Sequence, residues 1–303
     1  MRIGIFAGGM MTGDDPVSST VKAARDAAEQ GFTSFWLPQI AQLDALTALA
    51  VIGREVPDIF LGTSVVPTYP RHPIVLAQQA LTVQSATGNR LMLGIGLSHQ
   101  LVVEGMWGYS FEKPARHMRE YLSVLLPLLQ ERKVAFEGET VKAMAQVDVG
   151  AAAPPPVMLA ALAPRMLELA GSRTDGTITW MTGPATLESH IVPSITKAAS
   201  AAGRGDPHVV VGLPVCVTDD ADGARERAAS GFAIYGQLPS YRAMLDREGA
   251  AGPADVALVG DEATVEAGIR RVGDAGGTDF AAAEFGATQD ERRRTRDLLR
   301  TLL

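Results

Sequence analysis

Short apolar runs alternate with longer amphipathic stretches along this chain. The clearest unit is Ile59 to Ser98, IFLGTSVVPTYPRHPIVLAQQALTVQSATGNRLMLGIGLS, which reads as an apolar strand, a Pro-rich turn, an amphipathic helix and a second apolar strand ending in glycines. Strand–helix–strand units of this kind build parallel sheets. Arg2 to Gly8 reads as a strand opening onto a loop at Gly8-Gly9. Val17 to Gln30 reads as a helix carrying Val21, Ala24, Ala27 and Ala28 on one face, and Gly31 ends it. Phe32 to Leu37 reads as a strand, and Asp44 caps a helix running to about Val56. Met118, Tyr121, Leu122, Leu125, Leu128 and Leu129 recur at spacings of three and four, which predicts a helix over Ala115 to Glu131. His99 to Pro114 before it reads as a polar and aromatic loop.

Lys133 to Pro156 breaks the rhythm with short β-like pieces and a Pro-rich end, and reads as an insertion, a hairpin with a stiff linker. The alternation then resumes. Strands are expected at Val157 to Leu162, Thr177 to Met181, Val209 to Val217 (interrupted by Pro214) and Phe280 to Phe285. Helices are expected at Pro164 to Ser172, Leu187 to Ala202, Asp219 to Ala229, Thr264 to Ala275 and Asp290 to Leu302, with Phe232 to Pro253 helical in pattern but loop-like at its edges. Eight strands separated by helices predict a single (β/α)8 barrel domain over 1–303, with the insertion at about 133–156 between the fourth and fifth strands. A doubly wound sheet is the alternative. It calls for a Gly-x-Gly-x-x-Gly turn after the first strand, and the span from Gly4 to Gly13 lacks that spacing.

Charge and cysteine content narrow the class. A formal net charge of −7 argues against a nucleic-acid surface. Arg292-Arg293-Arg294 with Arg296 reads as a solvated helix face. Cys216 is the single cysteine, so no intrachain disulfide forms. MRIGIFAGG is too short and too weakly basic for a signal peptide, and no apolar run is long enough for a membrane span. The expected setting is cytoplasmic.

Polar groups after the strands are the candidate chemistry, because barrel sites form there. They include Gln39, Ser64, Tyr69, Ser98, His99, Glu104, Trp180, Thr182, Cys216 and Glu284. The chain has no Gly-x-Ser-x-Gly elbow, no His-Glu-x-x-His, no Gly-x-x-x-x-Gly-Lys loop and no His-x-His on its first strand. Apolar walls and few charges suit a flat organic ring better than a metal or phosphoryl substrate, so no metal is expected and a cofactor would bring the reactivity. Ala160-Ala161-Leu162-Ala163 leading into Pro164 is either a tight strand–helix turn or a cradle for an anion. Arg71-His72-Pro73 reads as a helix start, and Arg116, Arg119 and Glu120 as ion pairs on a helix surface.

The segment LGTSVVPTYPRHPIVLAQQALTVQSATGNRLMLGIGLS, followed by ARHMREYLSVLLPLL, resembles the bacterial luciferase-like superfamily. Within it the likeness is greatest to actinobacterial oxidoreductases that use the deazaflavin coenzyme F420. The similarity is weakest in Lys133 to Pro156 and Phe232 to Gly260. The resemblance implies a luciferase-like TIM barrel whose cofactor ring lies over the third strand, at a bulge with a non-prolyl cis peptide matching Ser64-Val65. It implies that Gly96, Leu97, Ser98 and His99 line the ring, that Ala160, Ala161, Leu162, Ala163 and Arg165 bind the ribityl phosphate, and that Thr182 and Gly183 touch the tail. Where the sugar-phosphate dehydrogenases of the family carry an acidic residue and a histidine, this chain has Pro38-Gln39. Gln39 stays a candidate cofactor contact, and sugar-phosphate oxidation is not carried over. The implied activity is hydride transfer between the reduced coenzyme and a small organic acceptor such as an enone, imine or quinone-like compound. His99 is the first candidate proton donor, by position and by its near-neutral intrinsic pKa, with Glu104 and Tyr69 next. An FMN-dependent monooxygenase and a non-catalytic flavin-binding protein are the alternatives. Partners reduce to a small-molecule substrate and possible pairing as a homodimer, with no nucleic acid and no membrane.

Overall fold

The computed structural model describes residues 1–8 and 14–303. Gly9, at the expected loop opening, and Gly13, at the end of the span read for a dinucleotide motif, lie outside them. In chain order the first half runs β1 (Arg2–Phe6), α1 (Pro16–Glu29), β2 (Ser34–Leu37), α2 (Ala45–Glu55), β3 (Phe60–Thr63), β4 (Val66–Pro67), α3 (Pro73–Ala86), β5 (Leu91–Gly96), α4 (Gln100–Gly105) and α5 (Pro114–Gln130). A hairpin of β6 (Lys133–Glu137) and β7 (Lys142–Gln146) follows. The second half runs β8 (Val157–Ala160), α6 (Pro164–Arg173), β9 (Gly176–Trp180), α7 (Pro184–Thr186), α8 (Val192–Ala201), β10 (His208–Val217), α9 (Ala221–Gly231), α10 (Pro239–Glu248), β11 (Leu258–Gly260), α11 (Glu262–Asp274), β12 (Asp279–Glu284) and α12 (Gln289–Thr301).

All barrel pairings are parallel. The order β1-β2-β3-β5-β8-β9-β10-β12 closes when β12 pairs back onto β1, Arg2 opposite Asp279. Closure excludes the doubly wound alternative, whose sheet is open. Alternation along the strands makes two cores. Phe35 and Leu37 point out to the helices, where the α5 stripe Met118, Tyr121, Leu122, Leu125, Leu128 and Leu129 is buried. Trp36, Met92, Met158, Ile178, Val210 and Ala281 fill the barrel interior instead.

Helix starts follow the expected chemistry. Asp15 accepts from the Ser18 N–H (3.1 Å) and Asp44 from the Thr47 N–H (2.9 Å). His72 Nδ1 accepts from the Ile74 N–H at the start of α3.

Four local expectations change. Pro214 does not interrupt β10: its missing N–H faces the edge where β9 ends (Gly212 opposite Trp180) and β11 begins (Val215 opposite Leu258), so no ladder bond is lost. The stretch after β5 is not all loop, since Gln100 to Gly105 forms α4. Glu120 does not pair along its helix. Its carboxylate accepts the N–H groups of Glu139, Thr140 and Val141 and pins the hairpin turn to α5. The arginine run near the C-terminus is not simply solvated: Arg294 holds Glu262 and Arg296 holds Glu284, so Glu284 is spent on structure. Cys216 is buried against Ala224 and Val259.

Candidate functional site

The carboxyl ends of the barrel strands open into a cavity of about 1400 Å³. Its floor is made where β3 leaves β5. Leu61 lies opposite Leu91 and Val66 opposite Ile95, so one strand carries one more residue than the other between those pairs. The Thr63 hydroxyl fills the gap, donating to the Gly94 carbonyl (2.7 Å) and accepting the Gly94 N–H (2.8 Å). The Ser64–Val65 peptide within the bulge is cis. Gly96 completes the floor: a Cβ there would stand 2.8 Å from Val65 Cγ2 and 3.1 Å from the Ala160 methyl. Ser64, Val65, Gly96, Leu97 and Ser98 therefore present a shallow, side-chain-poor surface.

On one side the floor runs into α6. Ala160, Ala161, Leu162, Ala163 and Arg165 all line the cavity. Ala163 is the N-cap residue in extended conformation, and no side chain caps the helix. Pro164 has no N–H and the Met166 N–H donates to the Ala163 carbonyl (2.9 Å), so the Arg165 N–H is the first-turn donor left open beside the helix's positive end at the cavity. His190, which sequence reasoning passed over, donates Nε2–H to the Leu162 carbonyl (2.8 Å) and holds this turn.

The opposite wall is aromatic. Trp180, at the end of β9, stacks on Phe6 (5.1 Å between centroids) and meets Phe232 and Tyr235 edge-on. Tyr235 in turn meets Tyr241 edge-on at 5.0 Å, and the Tyr241 ring lies 5.5 Å from that of His99. Burial lowers the His99 pKa, so its imidazole is neutral near pH 7. Burial raises the Tyr241 phenol, reinforced by Tyr235, so it too stays uncharged. Sequence reasoning missed Tyr241. The spacing of Phe232, Tyr235 and Tyr241 was the available signal, in a segment with no recognisable motif.

The remaining candidates stand as follows. Glu104 lines the cavity, accepting from the Phe111 N–H (3.2 Å) and Gln100 (3.0 Å). Tyr69 lies behind Phe111 (5.7 Å), stacked on His117 at 4.0 Å, its phenol pushed up to about 12 by burial and then by Glu104. Gln39 accepts the Ala45 N–H (2.7 Å) at the start of α2. Thr182 is buried and donates to the Trp180 carbonyl. Gly183 stands against Glu248, whose carboxylate takes the Ala185 and Thr186 N–H groups and so fills that helix start. Gln39, Tyr69, Thr182 and Gly183 are not among the cavity-lining residues. Among the described residues there is no cluster of three metal-ligating side chains, and no helix is long and apolar enough to cross a membrane.

Comparison with known proteins agrees with this architecture. The chain is 29% identical over 221 residues to a 5,10-methylenetetrahydromethanopterin reductase of Methanolobus tindarius, covering 73% of this chain and 67% of that one. It superposes with a TM-score of 0.82 on an F420-dependent secondary alcohol dehydrogenase in complex with an F420-acetone adduct (18% identity; 100% of this chain, 98% of that one). The FMN complex of the oxygenating constituent of 3,6-diketocamphane monooxygenase from Pseudomonas putida gives 0.77 (17% identity; 100% and 96%). The luciferase-like monooxygenase family model matches residues 1–297, and the chain belongs to that family.

Proposed function

We propose that this protein is an F420-dependent oxidoreductase that transfers a hydride between the deazaflavin and a small organic acceptor, an enone, imine or quinone-like compound. The observation that carries the reading is the pairing of the flat floor at Ser64, Val65 and Gly96 with the uncapped start of α6 in one cavity. A tricyclic ring fits the floor, where a Cβ at Gly96 would intrude. A phosphate fits the open Arg165 N–H and the positive end of α6, whereas the start of α7 is already filled by Glu248. When bound, the reduced deazaflavin supplies the hydride. The chain's own residues do the rest. Trp180 and Tyr241 exclude water from one side of the acceptor. The His99 ring, with no hydrogen-bond partner among the described residues, hydrogen-bonds the acceptor heteroatom and relays a proton to it from water, one ring nitrogen giving up its proton as the other takes one up.

The test is a titration with F420 and with FMN at matched concentrations, read by the fluorescence of Trp180, Trp36 and Trp107. Tight binding of F420 alone supports the proposal. The α6 start accepts a phosphate monoester equally well, so preference for FMN moves the reading to an FMN-dependent monooxygenase. Binding of neither removes the phosphate cradle and the proposal with it.

A further inference from the structure

The cavity rim is positively charged where local helix chemistry argues against it. Lys113 is the N-cap residue of α5, Arg116 and Arg119 follow at spacings of three, and the first turn has neither an acidic residue nor a side-chain cap. Helix α6 starts the same way, with Arg165 in its first turn. A helix N-terminus carries about half a positive charge, so cations there destabilise the helix. Four other helices follow the ordinary rule, with Asp15, Asp44, Asp220 and Asp261 as caps. All four basic residues line the cavity, in a chain of net charge −7. Pairing satisfies only part of the cluster. Lys113 and Arg116 share Glu139, while the side chains of Arg119 and Arg165 have no ion-pair or hydrogen-bond partner among the described residues. Arg2, Arg71, Arg227, Arg294 and Arg296, by contrast, each hold a carboxylate. Glu112 is the one unengaged carboxylate on the same rim, since Glu104 is tied to Gln100 and Phe111.

We infer that Lys113, Arg116, Arg119 and Arg165 form a subsite for a flexible polycarboxylate chain continuing outward from the phosphate held at α6. The inference rests on the deazaflavin reading and deepens it. The F420 phosphate is a diester that carries on into a lactyl-oligoglutamyl chain with a carboxylate on each unit, whereas FMN ends in a monoester. The rim therefore selects the coenzyme by its tail, independently of its ring.

The test compares dissociation constants, by fluorescence, for F420 with a long oligoglutamate tail, F420 with no glutamate, and FMN. Each is measured in wild type, Arg119→Glu and Arg119→Lys, at about 50 mM and about 500 mM salt. The tailed form binds wild type about tenfold more tightly than the tail-less form at low salt, the sum of several exposed ion pairs. That ratio shrinks at high salt, falls to about one in Arg119→Glu, and is largely kept in Arg119→Lys. Equal binding of the tailed and tail-less forms by wild type, or an unchanged ratio in Arg119→Glu, overturns the inference and leaves the cofactor reading standing. Binding of FMN alone overturns both.

Discussion

At the lower end of the barrel, where the strands begin, charged groups are matched by the chain itself. Asp279, 3% exposed, takes the Arg2 guanidinium at 2.7 Å and the Thr278 hydroxyl at 2.7 Å, with His208 Nδ1 at 3.6 Å. Asp175 holds Arg204 with one oxygen and the Val157 N–H with the other. Around the cavity at the upper end less is matched: α5 and α6 start without a side-chain cap, and among the described residues the Arg119 and Arg165 guanidiniums and the His99 imidazole have no hydrogen-bond partner. The strand starts are finished by the chain's own side chains, while the cavity keeps open donors that a ligand can take.

That contrast can be broken by mutation. Asp279→Ala takes the shared carboxylate from Arg2 and Thr278 and, because Arg2 is half-exposed and keeps His208 beside it, is expected to cost about 2 kcal/mol of stability in urea unfolding. The coenzyme affinity of the folded fraction should stay the same, and a change in affinity would show that the two ends are not separable. His99→Ala is expected to do the reverse, lowering turnover about 100-fold while moving the unfolding midpoint little; intact turnover would remove His99 as proton donor. Ala163→Asp supplies the cap that α6 lacks. It should raise stability by about 1 kcal/mol and weaken coenzyme binding about tenfold by calorimetry, because the carboxylate takes the anion's place.

A smaller effect appears on acidification. Burial raises the Glu291 carboxyl, but the Thr288 and Ala287 N–H groups, Thr218 and Arg227 more than offset this, leaving it at about 2. A depressed carboxylate contributes stability above its unfolded pKa and loses it as pH falls towards the folded value. Wild-type unfolding free energy should drop between about pH 4.5 and pH 2, and Glu291→Gln should flatten that slope by on the order of 1–2 kcal/mol.

Most of the barrel was legible because its signals are local. The apolar runs marked all eight strands, and the α5 stripe lies buried as its spacing required. What escaped depends on tertiary partners. Pro214 breaks a strand in isolation, but here it sits at an exchange of neighbours. Strand β11 has only three residues, too few for any period to show. The site divides the same way. Residues at strand ends, such as Ser64, Gly96 and Ala160, follow from position alone and line the cavity. Tyr241 and Arg119 come to the cavity from helices whose patterns say only that they are helices. Gln39 and Gly183 looked available because sequence does not reveal that Ala45 and Glu248 already occupy their neighbourhoods.

The solitary cysteine has a practical consequence. The Cys216 thiol is shut between β10 and α9, and burial, with a contribution from Glu291, pushes it up to about 11. Thiol reagents need an exposed thiolate, so alkylation of the native protein has to wait for the barrel to open. The chain thus carries a built-in clock: the rate at which it takes up one equivalent of label, with and without bound coenzyme, counts opening events directly and needs no engineered probe.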